Sequence, residues 1–119
     1  MTVSRIVEPK GREYEMYKLF SHDGSGGSVV EAALVKAGAD FQLIETHTRK
    51  DQHREADYVA INPWKQVPSL ILPDGTVMTE SAAMVIHIST VFADRGIAPR
   101  PGTSEHAVFL RWMVFMSAN

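Results

Sequence analysis

The chain has 119 residues, of which 45% are hydrophobic and 22% charged, a composition typical of one soluble globular domain. Its formal net charge of -2 excludes the strongly positive field that attracts nucleic acids or anionic membranes, so we expect neither as a partner. The absence of cysteine excludes disulfides, thiolate metal sites and cysteine nucleophiles. The sequence has neither a signal-peptide pattern nor an apolar run of roughly 18 residues, and we therefore expect a cytoplasmic protein.

Strands and helices alternate along the predicted chain. Short apolar runs bounded by glycine and proline predict strands, and apolar residues at helical spacing predict helices. The predicted elements are a strand at 14–21, a helix at 28–37, a strand at 41–45, a short helix within 47–61, a hairpin at 69–72 and 77–79, and a helix at 81–92. We expect Ser28 to cap the first long helix and Gly38 to end it. This order predicts an α/β sandwich with a mixed four-stranded sheet.

The regions on either side of this unit differ from it in composition. Residues 1–13 form a polar extension of the kind that is often disordered, 14–93 form the main domain, and the proline- and glycine-rich segment 94–103 is a predicted linker. The final segment, 104–119, is a predicted helix capped by Thr103 or Ser104. From Val108 to Met116 eight of nine residues are apolar, so we expect this helix to be covered by further chain or a second subunit.

The loop "SHDGSGGS" at 21–28 has several possible functions. Glycines after a strand and before a helix, with Glu45 about 20 residues further on, allow a nucleotide-binding alternative, although Val29 stands where that fingerprint has glycine or alanine. Ser21, His22 and Asp23 are adjacent in sequence, which argues against a catalytic triad, whose members converge from separate positions. The five histidines lack metal-ligand spacing, so we predict no metal site.

The second half of the chain contains a more specific pattern. Its motifs, in chain order, are Asn62-Pro63, Gln66-Val67-Pro68, Asp74-Gly75 and Glu80-Ser81-Ala82-Ala83-Met84. They resemble the N-terminal domain of the cytosolic glutathione transferases, of a bacterial, serine-type or unclassified kind. The resemblance covers about 17–92 and implies a thioredoxin-like βαβ-α-ββα fold. The last helix resembles the beginning of that family's all-helical second domain, which implies a truncated helical domain at 104–119.

The resemblance implies a set of glutathione-binding residues. Pro68 is expected to follow a cis peptide bond, and the backbone of Val67 is expected to pair with the cysteinyl backbone of glutathione like an added strand. Ser81, at a helix N-terminus, would hold the γ-glutamyl carboxylate, and Glu80 would accept the ligand's ammonium group. Lys65 and Gln66 would reach the ends of the ligand. A favourable acid at a helix start remains the alternative role of Glu80, and solvated surface positions remain the alternative for Lys65 and Gln66.

The resemblance also implies a group that hydrogen-bonds the glutathione thiol and lowers its pKa. Family classes that use tyrosine place it where this chain has Phe20, and classes that use cysteine place it near Gly26. Ser25 lies closest to the serine of the serine-type members, so the resemblance implies Ser25 as the thiol-activating residue, with Ser21 and Ser28 as rivals. Backbone N–H groups of the glycine-rich turn are an alternative source of the same stabilisation.

These residues together predict a glutathione transferase, of the family that performs detoxification chemistry. Enzyme-bound glutathione, as co-substrate, would attack a small electrophile through its thiolate, and the protein would be a homodimer. The predicted truncation puts turnover by this chain alone in question. The alternatives are a non-catalytic glutathione-binding or protein-interaction module, and a nucleotide-binding fragment.

Overall fold

A mixed sheet of five strands forms the centre of the computed structural model, which describes residues 2–6, 16–47 and 55–118. The strands are β1 (Thr2–Ile6), β2 (Tyr17–Ser21), β3 (Phe41–Glu45), β4 (Ser69–Ile71) and β5 (Val77–Met78). Their order across the sheet is β1-β3-β2-β4-β5, and only the β2–β3 pair is parallel. The predicted α/β thioredoxin-like architecture, with its four strands β2 to β5, is confirmed.

Strand β1 is an addition to the predicted sheet. The sequence analysis assigned 1–13 to a polar extension, whereas Thr2–Ile6 pairs antiparallel with β3, with Val3 opposite Ile44. The register shifts between Val3 and Arg5, so this edge is irregular. Pairing at an edge uses backbone groups and needs no distinctive side-chain pattern, which is why the polar composition did not predict it. The rest of the predicted extension, residue 1 and residues 7–13, lies outside the described residues.

Four α-helices accompany the sheet within the described ranges. They are α1 (Gly27–Ala37), α2 (Ala56–Ile61), α3 (Ser81–Val91) and α4 (Ser104–Ala118), with a short 3-10 helix at Ala93–Arg95 after α3. Helix α1 ends as predicted at Gly38, whose φ of 70° is left-handed. Its start differs from the prediction, because Gly26 and not Ser28 is the N-cap residue. The Ser25 hydroxyl accepts the Gly27 N–H at 3.2 Å and so fixes an earlier first turn.

The core has two layers, one on each face of the sheet. The larger layer lies under α1 and α3 and includes Leu19, Val30, Leu34, Phe41, Leu70, Met84 and Ile88. On the opposite face, Phe20 and Ile44 pack against Tyr58 of α2, and the rings of Phe20 and Tyr58 lie 5.5 Å apart. Helix α2 is thereby held beside the loop that leads into β4.

Helix α4 follows an irregular loop that overlaps the predicted linker at 94–103. Thr103 caps it, since its hydroxyl accepts the His106 N–H at 3.1 Å. No residue of 104–118 is buried, although the segment is strongly apolar. Val114, Phe115 and Met116 are all more than half exposed. These exposures agree with the expectation that the residues of this chain alone do not cover the apolar helix. Within the described ranges, no helix combines the length and apolar character needed to cross a bilayer.

Candidate ligand-binding site

Three separate segments meet beside the end of β2. They are the loop before β4, the N-terminus of α3 and the N-terminus of α1. A β-carbon placed on Gly26 would lie 2.8 Å from Ser81 Oγ and 3.7 Å from Pro68 Cδ. The Val67–Pro68 peptide bond in this loop is cis, as the resemblance implies. A residue larger than glycine at position 26 would press on the other two segments, so this residue lets them come together.

A cleft of about 100 Å³ lies between the loop before β4 and the start of α3. Its lining residues are Asn62, Gln66, Val67, Pro68, Thr79, Glu80 and Ser81. Five of the six predicted glutathione-binding residues therefore share one cleft. Lys65 is the exception, since its side chain is exposed at the edge of the loop and does not line the cleft.

Two residues of this region have unusual backbone conformations. Lys65 has φ 61° and Glu80 has φ 70°, both in the left-handed region that non-glycine residues seldom adopt. At Glu80 this conformation comes immediately before α3, and the side chain makes no capping hydrogen bond to the helix. The alternative role of Glu80 is that of an acid that supports its own helix. No capping hydrogen bond from the Glu80 side chain accompanies that role. Glu80 is exposed and lines the cleft.

The N-terminus of α3 gives the cleft a site suited to a negative charge. Helix α3 has 11 residues, and Ser81 is the first of them. The first N–H groups of a helix have no intrahelical acceptor, and the helix dipole places partial positive charge there. Ser81 is half-buried and adds a hydroxyl at the same point. The arrangement suits a carboxylate on Ser81 and an ammonium on the neighbouring Glu80.

A buried hydrogen-bond network lies beneath the loop before β4. The Tyr58 hydroxyl donates to the Gln66 carbonyl and lies 2.8 Å from Ser69 Oγ. The Asn62 amide donates to the same carbonyl at 2.9 Å and to Ser69 Oγ at 3.1 Å. Asn62 also accepts the Trp64 N–H at 3.0 Å. The side chains of Tyr58, Asn62 and Ser69 are at most 1% exposed, so the network is shielded from water.

The sequence analysis did not predict this network. Asn62 appeared there only within the Asn62-Pro63 motif and was given no contact, and Tyr58 and Ser69 are 11 residues apart. Burial raises the pKa of the Tyr58 phenol, although the neighbouring Ser69 hydroxyl and Asn62 amide act in the opposite direction. The sequence feature that could have indicated this network is a tyrosine, Tyr58, within a polar segment shortly before Asn62-Pro63. Trp64, whose N–H bonds to Asn62, is itself 79% exposed.

The three candidate serines differ in environment. Ser21 is buried, with its hydroxyl 2.9 Å from that of Ser25. Ser25 is half-buried, donates to the His22 carbonyl at 2.7 Å and accepts the Gly27 N–H. Ser28 is exposed in the first turn of α1. Of the three, Ser25 combines partial access with direct adjacency to Gly26, which adjoins Ser81 and Pro68.

Gly27 is required by the close approach of α1 to β2. A β-carbon at this position would lie 1.8 Å from Ser21 Oγ and 2.5 Å from Ser21 Cβ, which sterics forbid. Val29, at the position that the nucleotide fingerprint reserves for close packing, is half exposed. Helix α1 therefore packs closely on β2 at Gly27, whereas the nucleotide alternative requires the close packing at position 29.

A second, more apolar cleft of about 260 Å³ adjoins the first. It is lined by Gly26, Val29, Ser81, Ala82, Met113, Met116 and Ser117, from the starts of α1 and α3 and from the second half of α4. Ser81 borders both clefts. A ligand in the first cleft would therefore have an apolar space beside it, next to the loop that carries Ser25.

The histidines of the described segments do not form a metal centre. His22 and His47 stack at 5.6 Å, and His47 pairs with Glu45 at 2.9 Å. No group of three or more potential ligands occurs among the residues described here. His53 lies outside the described residues.

Comparison with known proteins identifies the family. The model of the glutathione S-transferase N-terminal domain matches residues 29–91, more than half of the chain. The chain belongs to the glutathione S-transferase family. This membership leaves the nucleotide-binding alternative without support. The matched region contains the loop before β4 and the start of α3, which line the first cleft.

Individual relatives agree with this assignment. Glutathione S-transferase GstA of Escherichia coli O157:H7 is 29% identical over 101 residues, which are 84% of this chain and 50% of the relative. A glutathione transferase homologue from Sulfitobacter, solved with bound glutathione, superposes with a TM-score of 0.78 at 26% identity, covering 88% of this chain and 50% of its own. A glutathione transferase from Methylococcus capsulatus gives 0.77 at 30% identity, covering 85% and 50%. The chain thus spans about half the length of these relatives.

Proposed function

We propose that this chain binds glutathione in the cleft between the loop before β4 and the start of α3. The observation that carries the proposal is the convergence of Val67, Glu80 and Ser81 on one cleft. These residues offer backbone hydrogen-bonding groups, a carboxylate and a helix N-terminus, which complement a peptide backbone, an ammonium and a carboxylate. Glutathione carries all three groups, and the Sulfitobacter relative was solved with it bound.

Each predicted residue has a role in this proposal. The Val67 backbone pairs with the cysteinyl backbone, and the Ser81 N–H and hydroxyl hold the γ-glutamyl carboxylate. Glu80 accepts the ammonium group, and Pro68 forms the wall beside Val67. Gln66 lines the cleft, and its side chain reaches one end of the ligand. Lys65, exposed outside the cleft, is suited to a long-range attraction for the glycyl carboxylate.

We assign thiol activation to Ser25. A thiol with a pKa of about 8.5 needs a shift of one to two units to be largely ionised near neutrality, which is roughly 1.4 to 2.7 kcal/mol. A hydroxyl donor next to a helix N-terminus supplies stabilisation of this size. Donation to the thiolate requires the Ser25 hydrogen to turn away from the His22 carbonyl, its present acceptor.

The proposed reaction is transfer of glutathione to a small electrophile. The thiolate sulfur attacks an electrophilic carbon, a carbon–sulfur bond forms, and the leaving group departs with its electron pair. The apolar cleft beside Ser81 suits an apolar electrophile, because Met113 and Met116 line it with flexible side chains. Binding both reactants side by side supplies the orientation that the reaction needs.

A glutathione-binding module without turnover is the second candidate. The observation that favours it is the position of the Ser25 hydroxyl, which already bonds to the His22 carbonyl, the Gly27 N–H and Ser21. In that case the serine stabilises the turn and does not act on a thiol. Such a module would bind glutathione and form no conjugate with any electrophile.

We further propose a cytoplasmic homodimer in which a second copy covers the apolar surface of α4. The exposed large apolar residues of this helix are Val108, Trp112, Val114, Phe115 and Met116. Several large exposed apolar residues on one helix are typical of an interaction surface.

Calorimetric titration with glutathione tests the binding proposal. We expect the wild-type chain to bind, and Ser81→Ala and Glu80→Gln each to weaken binding by roughly 10- to 100-fold, the effect of one charge-assisted hydrogen bond. Ser89→Ala, in the last turn of the same helix, and Glu105→Gln, in the first turn of α4, are matched controls that should bind normally. A folded wild-type chain that does not bind glutathione would contradict the proposal.

A further inference from the structure

The buried network sets the orientation of the peptide group between Gln66 and Val67. The Gln66 carbonyl accepts two hydrogen bonds, one from the Tyr58 hydroxyl and one from the Asn62 amide. A carbonyl oxygen has two lone pairs, so this acceptor is saturated. Both donors belong to side chains that are almost fully buried. The carbonyl therefore points into the protein, away from the solvent-facing side of the loop.

Counting the available hydrogens assigns the donors and acceptors of the network. The single hydrogen of the Tyr58 hydroxyl goes to Gln66, so the hydroxyl of Ser69 donates to Tyr58 across their 2.8 Å contact. The Asn62 amide uses both of its hydrogens, on Gln66 and on Ser69. The Asn62 carbonyl oxygen accepts from Trp64. Each side-chain donor is thus committed, and a turned Gln66 carbonyl would leave two of them unsatisfied in a buried place, which is costly.

The direction of the carbonyl determines the direction of the next N–H. In a trans peptide the C=O and N–H groups point to opposite sides, and within the described ranges only Val67–Pro68 is cis. The inward Gln66 carbonyl therefore directs the Val67 N–H outward. Val67 lines the cleft, so the outward N–H belongs to a residue of the cleft wall.

We propose that Tyr58, with Asn62 and Ser69, is a positioning residue that presents the Val67 N–H to the ligand backbone. The ligand role rests on the proposed glutathione binding, whereas the positioning of the loop does not. Tyr58 serves two purposes, since its ring packs on Phe20 in the smaller core layer while its hydroxyl holds the loop. The position of α2 is thereby linked to the geometry of the cleft.

Tyr58→Phe tests the proposal, because it keeps the ring and removes only the hydroxyl. We expect the dissociation constant for glutathione to rise about tenfold, which corresponds to one hydrogen bond of about 1.4 kcal/mol. In the free protein we expect the Trp64 amide, which is bonded to Asn62, to exchange with solvent at least about tenfold faster by nuclear magnetic resonance. Tyr17→Phe is the matched control, because Tyr17 is also buried but lies in the other core layer.

The outcomes separate the two proposals. If the wild type binds glutathione and Tyr58→Phe binds equally well, the positioning role is wrong. If the wild type does not bind, glutathione binding fails, and the exchange measurement decides the positioning role. Trp64 exchange that is accelerated in Tyr58→Phe alone supports it, and equal exchange in both tyrosine variants overturns it. Should Tyr58→Phe not fold, Ser69→Ala replaces it, with a smaller expected effect because both bonds to Gln66 remain.

Discussion

Ser25 carries the catalytic part of the proposed function, and its neighbours explain why its assignment depends on geometry. Three serines lie within a stretch of eight residues, with glycines between them. The sequence alone therefore does not fix which of the three serines matches the family's serine. The structure buries Ser21 and leaves Ser28 exposed on α1. Ser25 lies between these extremes, beside the glycine that adjoins Ser81. Access and adjacency therefore favour it as the donor to a bound thiol.

We predict that Ser25→Ala raises the pKa of the bound glutathione thiol by about one unit. A hydroxyl that donates to the thiolate stabilises the charged form, so its removal disfavours ionisation. The conjugation rate should fall roughly tenfold below the thiol pKa and converge with the wild type at high pH, where both thiols are ionised. The measurement is a pH profile of the rate with saturating glutathione.

Ser28→Ala is the matched control for this profile. It removes an exposed hydroxyl from the first turn of α1, three residues after Ser25, and should leave the pH dependence unchanged. Unaltered profiles for Ser25→Ala, Ser21→Ala and Ser28→Ala alike would refute a serine mechanism. Absence of any conjugate in a glutathione-binding wild type would favour the module without turnover.

At the scale of elements, the packing of α1 on α3 fixes the two helix N-termini that border the clefts. Both helices lie on the larger core layer, where Leu34 and Met84 are fully buried. A helix pair held by its apolar faces keeps its ends in a fixed relation. Gly26 and Ser81 therefore owe their close approach to side chains further along each helix.

We predict that Leu34→Ala lowers the free energy of unfolding by about 2 to 5 kcal/mol, because it removes buried methyl groups and leaves a cavity. Val35→Ala, at the adjacent position with a side chain 62% exposed, should change it by less than about 0.5 kcal/mol. Urea denaturation of the two variants beside the wild type measures the difference. Equal losses in the two variants would show that α1 does not bury its Leu34 face.

At the scale of the whole molecule, α4 borders the apolar cleft and also carries an exposed apolar surface. Met113 and Met116 line the apolar cleft, and Met116, Val114 and Phe115 are more than half exposed. The same helix thus contributes to a candidate electrophile site and to the proposed contact with a second copy. Covering α4 would also restrain the wall of that site.

We predict a dimer whose dissociation depends on concentration, and that Val114→Glu shifts it to the monomer, because a charge buried in an apolar contact is unfavourable. Val35→Glu is the matched control, since Val35 and Val114 are 62% and 61% exposed and belong to different helices. Analytical ultracentrifugation over a range of concentrations measures the mass. A wild type that is monomeric throughout would be incompatible with the homodimer.

The sequence by itself determined the elements whose signals are local. Helix α1 ends at Gly38, β3 spans Phe41–Glu45, and the Asp74-Gly75 turn joins β4 to β5, all as predicted. Glycine conformations, helical spacing and turn residues act over a few residues, so they can be recognised without the fold. The motif residues from Asn62 to Met84 were sufficient to indicate the family and five residues of one cleft.

Only the tertiary structure decided which distant groups meet. Strand β1, the approach of Gly26 to Ser81 and the network of Tyr58, Asn62 and Ser69 had no local signal. Each depends on how separate segments are packed together, and a backbone carbonyl such as that of Gln66 has no side-chain identity that could reveal its direction. The residue types in the cleft were therefore predictable, whereas the hydrogen bonds that orient them arise from packing between elements.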